Sequence, residues 1–379
     1  MADFLDYGIV KEAQQVMASN NLFHRDPIHK RRFNFICASL NRVSTAVDFL
    51  NKHSDFPENS ADFIHWLVYG SMLKEAIYYL FKNLNINYNQ AISGRENYYF
   101  KSICKEKWLG EIDEDDTFFS RLRALIFAHP TDTHDHAKQP KKLYSPLAYV
   151  NGKNEEVCAM VYISGEPGIR YLQVPFSLLK EYINSRYQLL NEIIAHWNNI
   201  IKEKNEEWKQ RKVNRNGESL LVLKDIVAIL EERYMEHYEF DELITYSTLT
   251  SSISSNNEHI AQYRQFIVDS IPPLCSTVDN MDYDTMFSVL SNLVGWKGVP
   301  NKLYEGASYD LEKIFGLSRQ THPSDVWYIR QRVRSFSDNF AKKWVTIDAD
   351  NMDFDEIKLL VAVACYCEKE EQTKKGVVK

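Results

Sequence analysis

Glycine and proline are scarce, 13 and 11 in 379 residues. That excludes a collagen-like or linker-rich chain and argues against an all-β design with a turn every few residues. The six cysteines, Cys37, Cys104, Cys158, Cys275, Cys365 and Cys367, include no C-x-x-C pair. They predict buried, reduced thiols in a cytoplasmic protein, and a metal on Cys365 and Cys367 would need a partner pair that the neighbouring sequence does not supply. No run of 18 uncharged apolar residues occurs, and the longest apolar stretches, such as 359–367, have the length of core helices, so no membrane span is expected. The N-terminus, MADFLDYGIVKEAQQVM, has neither the basic start nor the apolar core of a secretory signal. The loop motifs of nucleotide hydrolases, dinucleotide binders, zinc proteases and α/β-hydrolases are absent as well.

What is present is a strong globular signal: 44% hydrophobic residues, with 22 Tyr, 20 Phe and 7 Trp. Such a chain buries a substantial core, and its length predicts two or three domains. The formal charge of −7 gives no global attraction to nucleic acid, so any such contact must come from a local basic patch.

The pattern is mostly helical. Short helices are expected up to about residue 60, with the cluster His29-Lys30-Arg31-Arg32 on a solvated face rather than as a phosphate-contacting patch. Ile64, Leu67, Val68, Leu73, Ile77, Leu80, Phe81 and Leu84 recur at three- and four-residue steps, predicting a helix over 64–84. A second helix follows the acidic run 111–116, where Asp116 or Thr117 is placed to cap it, and ends before Pro130. The β-branched and aromatic runs at 157–163 and 169–174, joined by Gly165-Glu-Pro-Gly168, predict a hairpin, with 143–150 as a possible third strand. From Pro175 a spacing near 3.5 predicts one helix to about Arg211, about 55 Å long. Further helices are expected at 219–238, 240–254, 257–270, 283–294, 323–343 and 353–369. The division is then an N-terminal helical domain at 1–140, a β-hairpin insert at 141–176, a connecting helix at 177–213 and a helical C-terminal domain at 214–379.

The most informative stretch for chemistry is Phe118-Phe-Ser-Arg121-Leu-Arg123-Ala-Leu-Ile-Phe-Ala-His129-Pro130. A histidine and an arginine on one short helix can cut RNA without a metal, because the 2′-hydroxyl is the nucleophile. Histidine titrates near neutral pH and can move a proton, while arginine offers a fixed fork to phosphate oxygens. Arg123 and His129, five residues between them, resemble the R-x(4–6)-H motif of the HEPN superfamily, all-helical domains that often act as metal-independent endoribonucleases. The phrase Leu-Arg-Ala-Leu-Ile-Phe-Ala-His-Pro is also similar to the helix end of HEPN-like proteins in bacterial defence and toxin systems. The resemblance implies a helical bundle, a homodimer that brings two motifs into one cleft, an RNA substrate and no cofactor. It covers a short region, and Ala124 stands where the family usually has a polar residue. On an ideal helix Arg123 and His129 point about 120° apart.

Neighbouring residues extend the candidate site. Arg121 is a reserve cation, and Glu75, on the 64–84 helix, is a carboxylate that could orient the Arg–His helix or simply face solvent. The run His129-Pro-Thr-Asp132-Thr-His134-Asp135-His136 could line the same cleft or, on a different reading, hold a divalent metal for a phosphohydrolase. Lys138, Lys141 and Lys142 would place positive charge beside it for an RNA phosphate. The bland reading has His129 as a helix-end histidine on terminal carbonyls, in a helical interaction or RNA-binding protein without catalysis. Tyr78-Tyr79 and Asn97-Tyr98-Tyr99-Phe100 are expected in the core rather than stacking on bases. Arg330 and Arg334, one turn apart, are expected to be ion-paired or solvated.

Overall fold

The computed structural model describes residues 3–93, 98–105, 107–109, 112, 114–131, 133–134, 142–294, 303–317 and 322–375. The chain is mostly helical with one small antiparallel sheet, and it divides into two compact units, 1–203 and 204–379.

The first unit opens with α1 (Tyr7–Ser19), α2 (Asn21–Arg25) and α3 (Pro27–Lys52). The expectation of short helices up to residue 60 is corrected by α3, a single helix of 26 residues. Asp26 caps it by accepting from the Ile28 and His29 N–H groups, and Pro27 fits its first position, where no N–H is needed. The basic cluster rides on its first turns, with Lys30, Arg31 and Arg32 exposed. α4 (Ser60–Leu84) begins under an Asn59 cap and ends at Asn85, whose left-handed backbone (φ 59°) stops the helix. It packs along α3 and buries Phe63, Trp66, Leu67, Leu73, Ile77, Leu80 and Phe81. Fully burying a side chain of this kind contributes about 1.5–3 kcal/mol. Tyr78 and Tyr79 fall off that stripe and are exposed, against the expectation of core positions. The one-turn helix α5 (Tyr88–Ala91) follows, and α6 (Asp115–Arg123) runs directly into a π-helical turn, Ala124–Ala128.

The sheet has the order β1-β2-β3-β4, all antiparallel: β1 (Thr133–His134), β2 (Lys142–Asn151), β3 (Glu156–Ile163) and β4 (Arg170–Pro175). Pairing holds Leu143 opposite Ile163 and Met160 opposite Tyr171, with a bulge in β2 between Tyr144 and Leu147. Val157, Ala159, Val161, Ile163, Leu172 and Val174 alternate onto the inner face and join the same core as α3, α4 and α6.

The single helix expected over 176–211 is two helices, α7 (Phe176–Gln188) and α8 (Leu190–Gln210). The ladder tightens at Leu189, whose N–H reaches back only to the Arg186 carbonyl, and Asn191 Nδ2 donates to the Gln188 carbonyl at 3.1 Å. A side-chain amide therefore takes up a carbonyl that the interrupted ladder leaves over.

In the second unit, α9 (Ser219–Glu232), α10 (Tyr238–Thr248), α11 (Asn257–Asn280), α12 (Tyr283–Leu293), α13 (Ala307–Leu317), α14 (Pro323–Asn339) and α15 (Phe354–Lys374) enclose a separate core. α13 has no counterpart in the sequence reading. α11 runs past its expected end at 270 and through Pro272 and Pro273. The carbonyls deprived of donors belong to Val268 and Asp269 on the exposed side, open to solvent, while Ile267, Ile271, Leu274 and Val278 keep the buried stripe continuous. Arg330 donates to the Ala349 and Met352 carbonyls and Arg334 pairs with Asp350, so both arginines serve the 348–352 segment. Arg233, 2% exposed, donates to the carbonyls of Val278 (2.6 Å), Trp208 (2.9 Å) and Arg211 (3.1 Å). Replacing it with Met leaves three carbonyls without a charged donor, and a loss of about 2–4 kcal/mol is expected in urea unfolding of that unit.

Candidate functional site

The helix α6 carries two acidic residues in its first turn, and neither caps it; the N-cap position is Glu114 and makes no side-chain cap bond. The expectation that Asp116 or Thr117 caps the helix is corrected because both aspartates are drawn into tertiary bonds. Asp115 is fully buried and accepts from three successive backbone N–H groups, Tyr98 (2.9 Å), Tyr99 (3.1 Å) and Phe100 (3.0 Å). That carboxylate fixes the loop that brings Phe100 onto Phe118, ring centroids 4.5 Å apart.

Asp116 is the centre of a larger cluster. Its Oδ1 accepts from Arg186 Nε at 2.7 Å and from the Tyr182 hydroxyl at 2.9 Å, and its Oδ2 accepts from the Tyr88 hydroxyl at 2.8 Å. The Lys74 ammonium stands 3.7 Å from Oδ2. Arg186 is 2% exposed, with its guanidinium 4.8 Å over the Tyr182 ring. Burial works to raise the Asp116 pKa, but Arg186 and Lys74, together with the hydrogen bonds from Tyr88 and Arg186, outweigh it and hold the carboxyl below its usual range. Burial, and then the Asp116 charge, push the Tyr88 and Tyr182 hydroxyls well above the ordinary phenol value, so they act as donors only.

Beside this cluster lies a cleft of about 500 Å³ between α4, α5 and α6. Lys74, Tyr78, Tyr88, Asp116, Arg121 and Ala124 are among the residues that line it. Its size is that of a small-molecule pocket, and its wall offers an ammonium, a carboxylate and two tyrosine rings. Lys74, Tyr88 and Arg186 were not read as site residues from sequence, and Asp116 was read as a helix cap. Arg186 gave a signal, as the one charge interrupting an otherwise apolar helical stripe.

At the other end of α6, Arg123 forms an ion pair with Glu75 of α4, the two side chains being 33% and 46% exposed. Arg121, two residues earlier, is 6% exposed, and its Nη1 donates to the Leu109 carbonyl. His129 is exposed and closes the π turn, its N–H bonding the Ala124 carbonyl at 2.9 Å. Its backbone, φ −143° and ψ 52°, has left the helix. The ideal-helix angle between Arg123 and His129 therefore does not apply, because the wider turn and the extended φ redirect the histidine. Next to it, Ser145 N–H donates to the Pro130 carbonyl at 2.6 Å, which fastens β2 to the helix end.

Lys142 is exposed at the start of β2, opposite His134 of β1. Asp132, Asp135, His136, Lys138 and Lys141, with the His134 side chain, lie outside the described residues. Among the described residues no group of three or more His, Cys, Asp or Glu side chains is placed to hold a metal ion. Burial pushes the Cys367 thiol up to about 11 and raises Cys365 as well, which leaves both protonated at neutral pH. No helix among the described residues is long and apolar enough to cross a membrane. No family model, no curated protein and no solved structure matches the chain.

The Asp116 cluster gives a stability expectation. Asp116→Asn keeps the shape but leaves Arg186 buried without its counter-charge, and should cost about 3–5 kcal/mol in thermal or urea unfolding. The folded carboxyl is held below its ordinary value, so its contribution is complete above about pH 4 and is lost as the pH falls through the folded pKa. The wild type should therefore lose stability on acidification below about pH 4 more steeply than Asp116→Asn does.

Proposed function

We propose that the chain is a metal-independent endoribonuclease of HEPN-like build, of the kind that serves bacterial antiphage defence or acts as a toxin. The observation that supports this reading is the end of α6: an exposed histidine closes a π turn, a distortion frequent at functional sites, while an arginine six residues earlier is held by a carboxylate from a neighbouring helix. In the proposed reaction the 2′-oxygen attacks the adjacent phosphorus, its proton goes to a base, and the 5′-oxygen leaves with a proton from an acid. The products are a 2′,3′-cyclic phosphate and a 5′-hydroxyl end.

His129 is the proton carrier in this reading. Arg123 stabilises charge on the phosphate, and Glu75 fixes the direction of the guanidinium, with Arg121 in reserve. A single histidine does one proton transfer well, so a homodimer that brings two helix ends together would complete the acid–base pair. Lys142, with Lys138 and Lys141, would attract the RNA backbone. Ala124, an apolar side chain on the wall of the cleft, favours the alternative of an RNA-binding or interaction protein that does not cut.

The deciding measurement is cleavage of labelled single-stranded RNA in EDTA. Wild type should cut, leaving cyclic phosphate ends. His129→Ala and Arg123→Ala, each shown to be folded, should lose activity by about 100-fold or more. Glu75→Gln should lose about 10- to 100-fold through misorientation of Arg123. Loss of activity in EDTA that returns with a divalent metal would instead favour a phosphohydrolase built on residues 129–136. Absence of cleavage across a range of RNAs would favour the non-catalytic alternative.

A further inference from the structure

The outer face of the sheet carries more aromatic surface than the fold needs. Strands β2, β3 and β4 turn one set of side chains into the core and the other outward, and the outward set includes Tyr144, Leu147, Tyr149, Met160, Tyr162 and Tyr171. Leu147 is 51% exposed, Tyr162 42% and Tyr171 50%. A protein gains nothing in water from holding such rings outside its core, and an exposed apolar patch on a structured face marks a binding surface.

The register sets the rings in a pattern. Tyr144 stands directly opposite Tyr162 on the next strand, and Tyr171 on the third strand stands opposite Met160, two residues from Tyr162. Tyr144, Tyr162 and Tyr171 thus form a diagonal across three strands, with neighbouring strands about 4.8 Å apart. Tyr149 lies further along, beside Cys158, whose thiol it shields together with Gln173.

We propose that this face is a stacking platform for single-stranded RNA, which takes the unpaired bases on either side of the phosphate that His129 addresses; the proposal rests on the nuclease reading above. Three features select this occupant. Unpaired bases stack on aromatic rings presented by a sheet, in runs of two or three, and paired bases do not. The face is continuous with the candidate site, because β2 is bonded through Ser145 to Pro130, one residue beyond His129, and begins with the exposed Lys142. The patch is also small: six apolar and aromatic side chains, against about 20–30 residues a side in a stable protein interface.

The test measures binding rather than cutting. Fluorescence anisotropy would follow a labelled single-stranded RNA of ten nucleotides, and the same sequence as a duplex, on the full chain carrying His129→Ala. Tyr162→Ala and Tyr171→Ala alter exposed side chains, and circular dichroism would confirm that they fold. Each is expected to weaken single-strand binding by about 10-fold, and the pair by more, while Tyr162→Phe and Tyr171→Phe keep it and the duplex binds weakly throughout. Single-strand affinity unchanged in the double alanine variant overturns the platform, as does a chain that binds no RNA. Sedimentation showing that the tyrosines hold two copies of the chain together, with RNA affinity unaffected, overturns it in favour of a protein occupant. The nuclease reading fails separately: tyrosine-dependent binding without cleavage by the wild type removes the nuclease and leaves the platform, and cleavage by the double variant at unaltered KM does the reverse.

Discussion

A carboxylate on the first turn of α6 has to be kept ionised inside the protein, and side chains from three other helices are committed to that task. Lys74 comes from α4, Tyr88 from α5, and Tyr182 and Arg186 from α7. An unpaired charge at such depth would neutralise itself or unfold its surroundings. The helices that supply the partners are therefore bound to one geometry, whatever latitude their apolar contacts leave. Apolar packing is tolerant of small shifts, but a carboxylate that accepts three hydrogen bonds at 2.7–2.9 Å is not. The orientation of α6, and with it the placement of both its ends, follows from this cluster.

The two ends of α6 are differently built. At the start, charge is buried and paired, and Asp115 and Asp116 organise structure. At the finish, Arg123 and Glu75 are partly exposed and His129 is on the surface. The cleft lies along the same helix from Glu114 to Ala124. A rigid anchor at one end and accessible polar groups at the other is the arrangement a reactive site needs, since its groups must be held in place without being spent on the fold.

Much of the architecture was legible in the sequence because it is written in local patterns. The stripe from Ile64 to Leu84 marked α4, and the β-branched runs around Gly165 and Gly168 marked β3 and β4. Two of the errors share one cause, which is that a long-range or solvent contact outweighed a local preference. The helix expected to end at 270 runs on through Pro272 and Pro273, because their missing hydrogen bonds fall on the exposed side of α11. Asp116 looked like a helix cap, but Arg186 lies 70 residues further on and no local pattern records it. The break at Leu189 is local: the Asn191 amide bonds the Gln188 carbonyl within a stripe whose apolar spacing carries across it, with Arg186 its one charged position. In the candidate site, Arg123 and His129 were visible as residue types at a spacing, whereas the π turn between them is a backbone event with no residue signature. The tyrosines of the sheet were visible as strand formers, and only the register shows that several share one face.

The sheet enters the chain between α6 and α7, the two helices that the Asp116–Arg186 bond ties together. The chain leaves that bond at Asp116 and returns to it at Arg186, so the whole sheet lies in a loop closed by an ion pair. The entropy of closing a loop grows only with the logarithm of its length, so this excursion can lengthen or shorten at small cost to the helices. Its inner face is held to apolar residues by the core, and its outer face answers to no such demand. A segment of this kind is where a lineage can change what the protein touches while leaving alone how it folds.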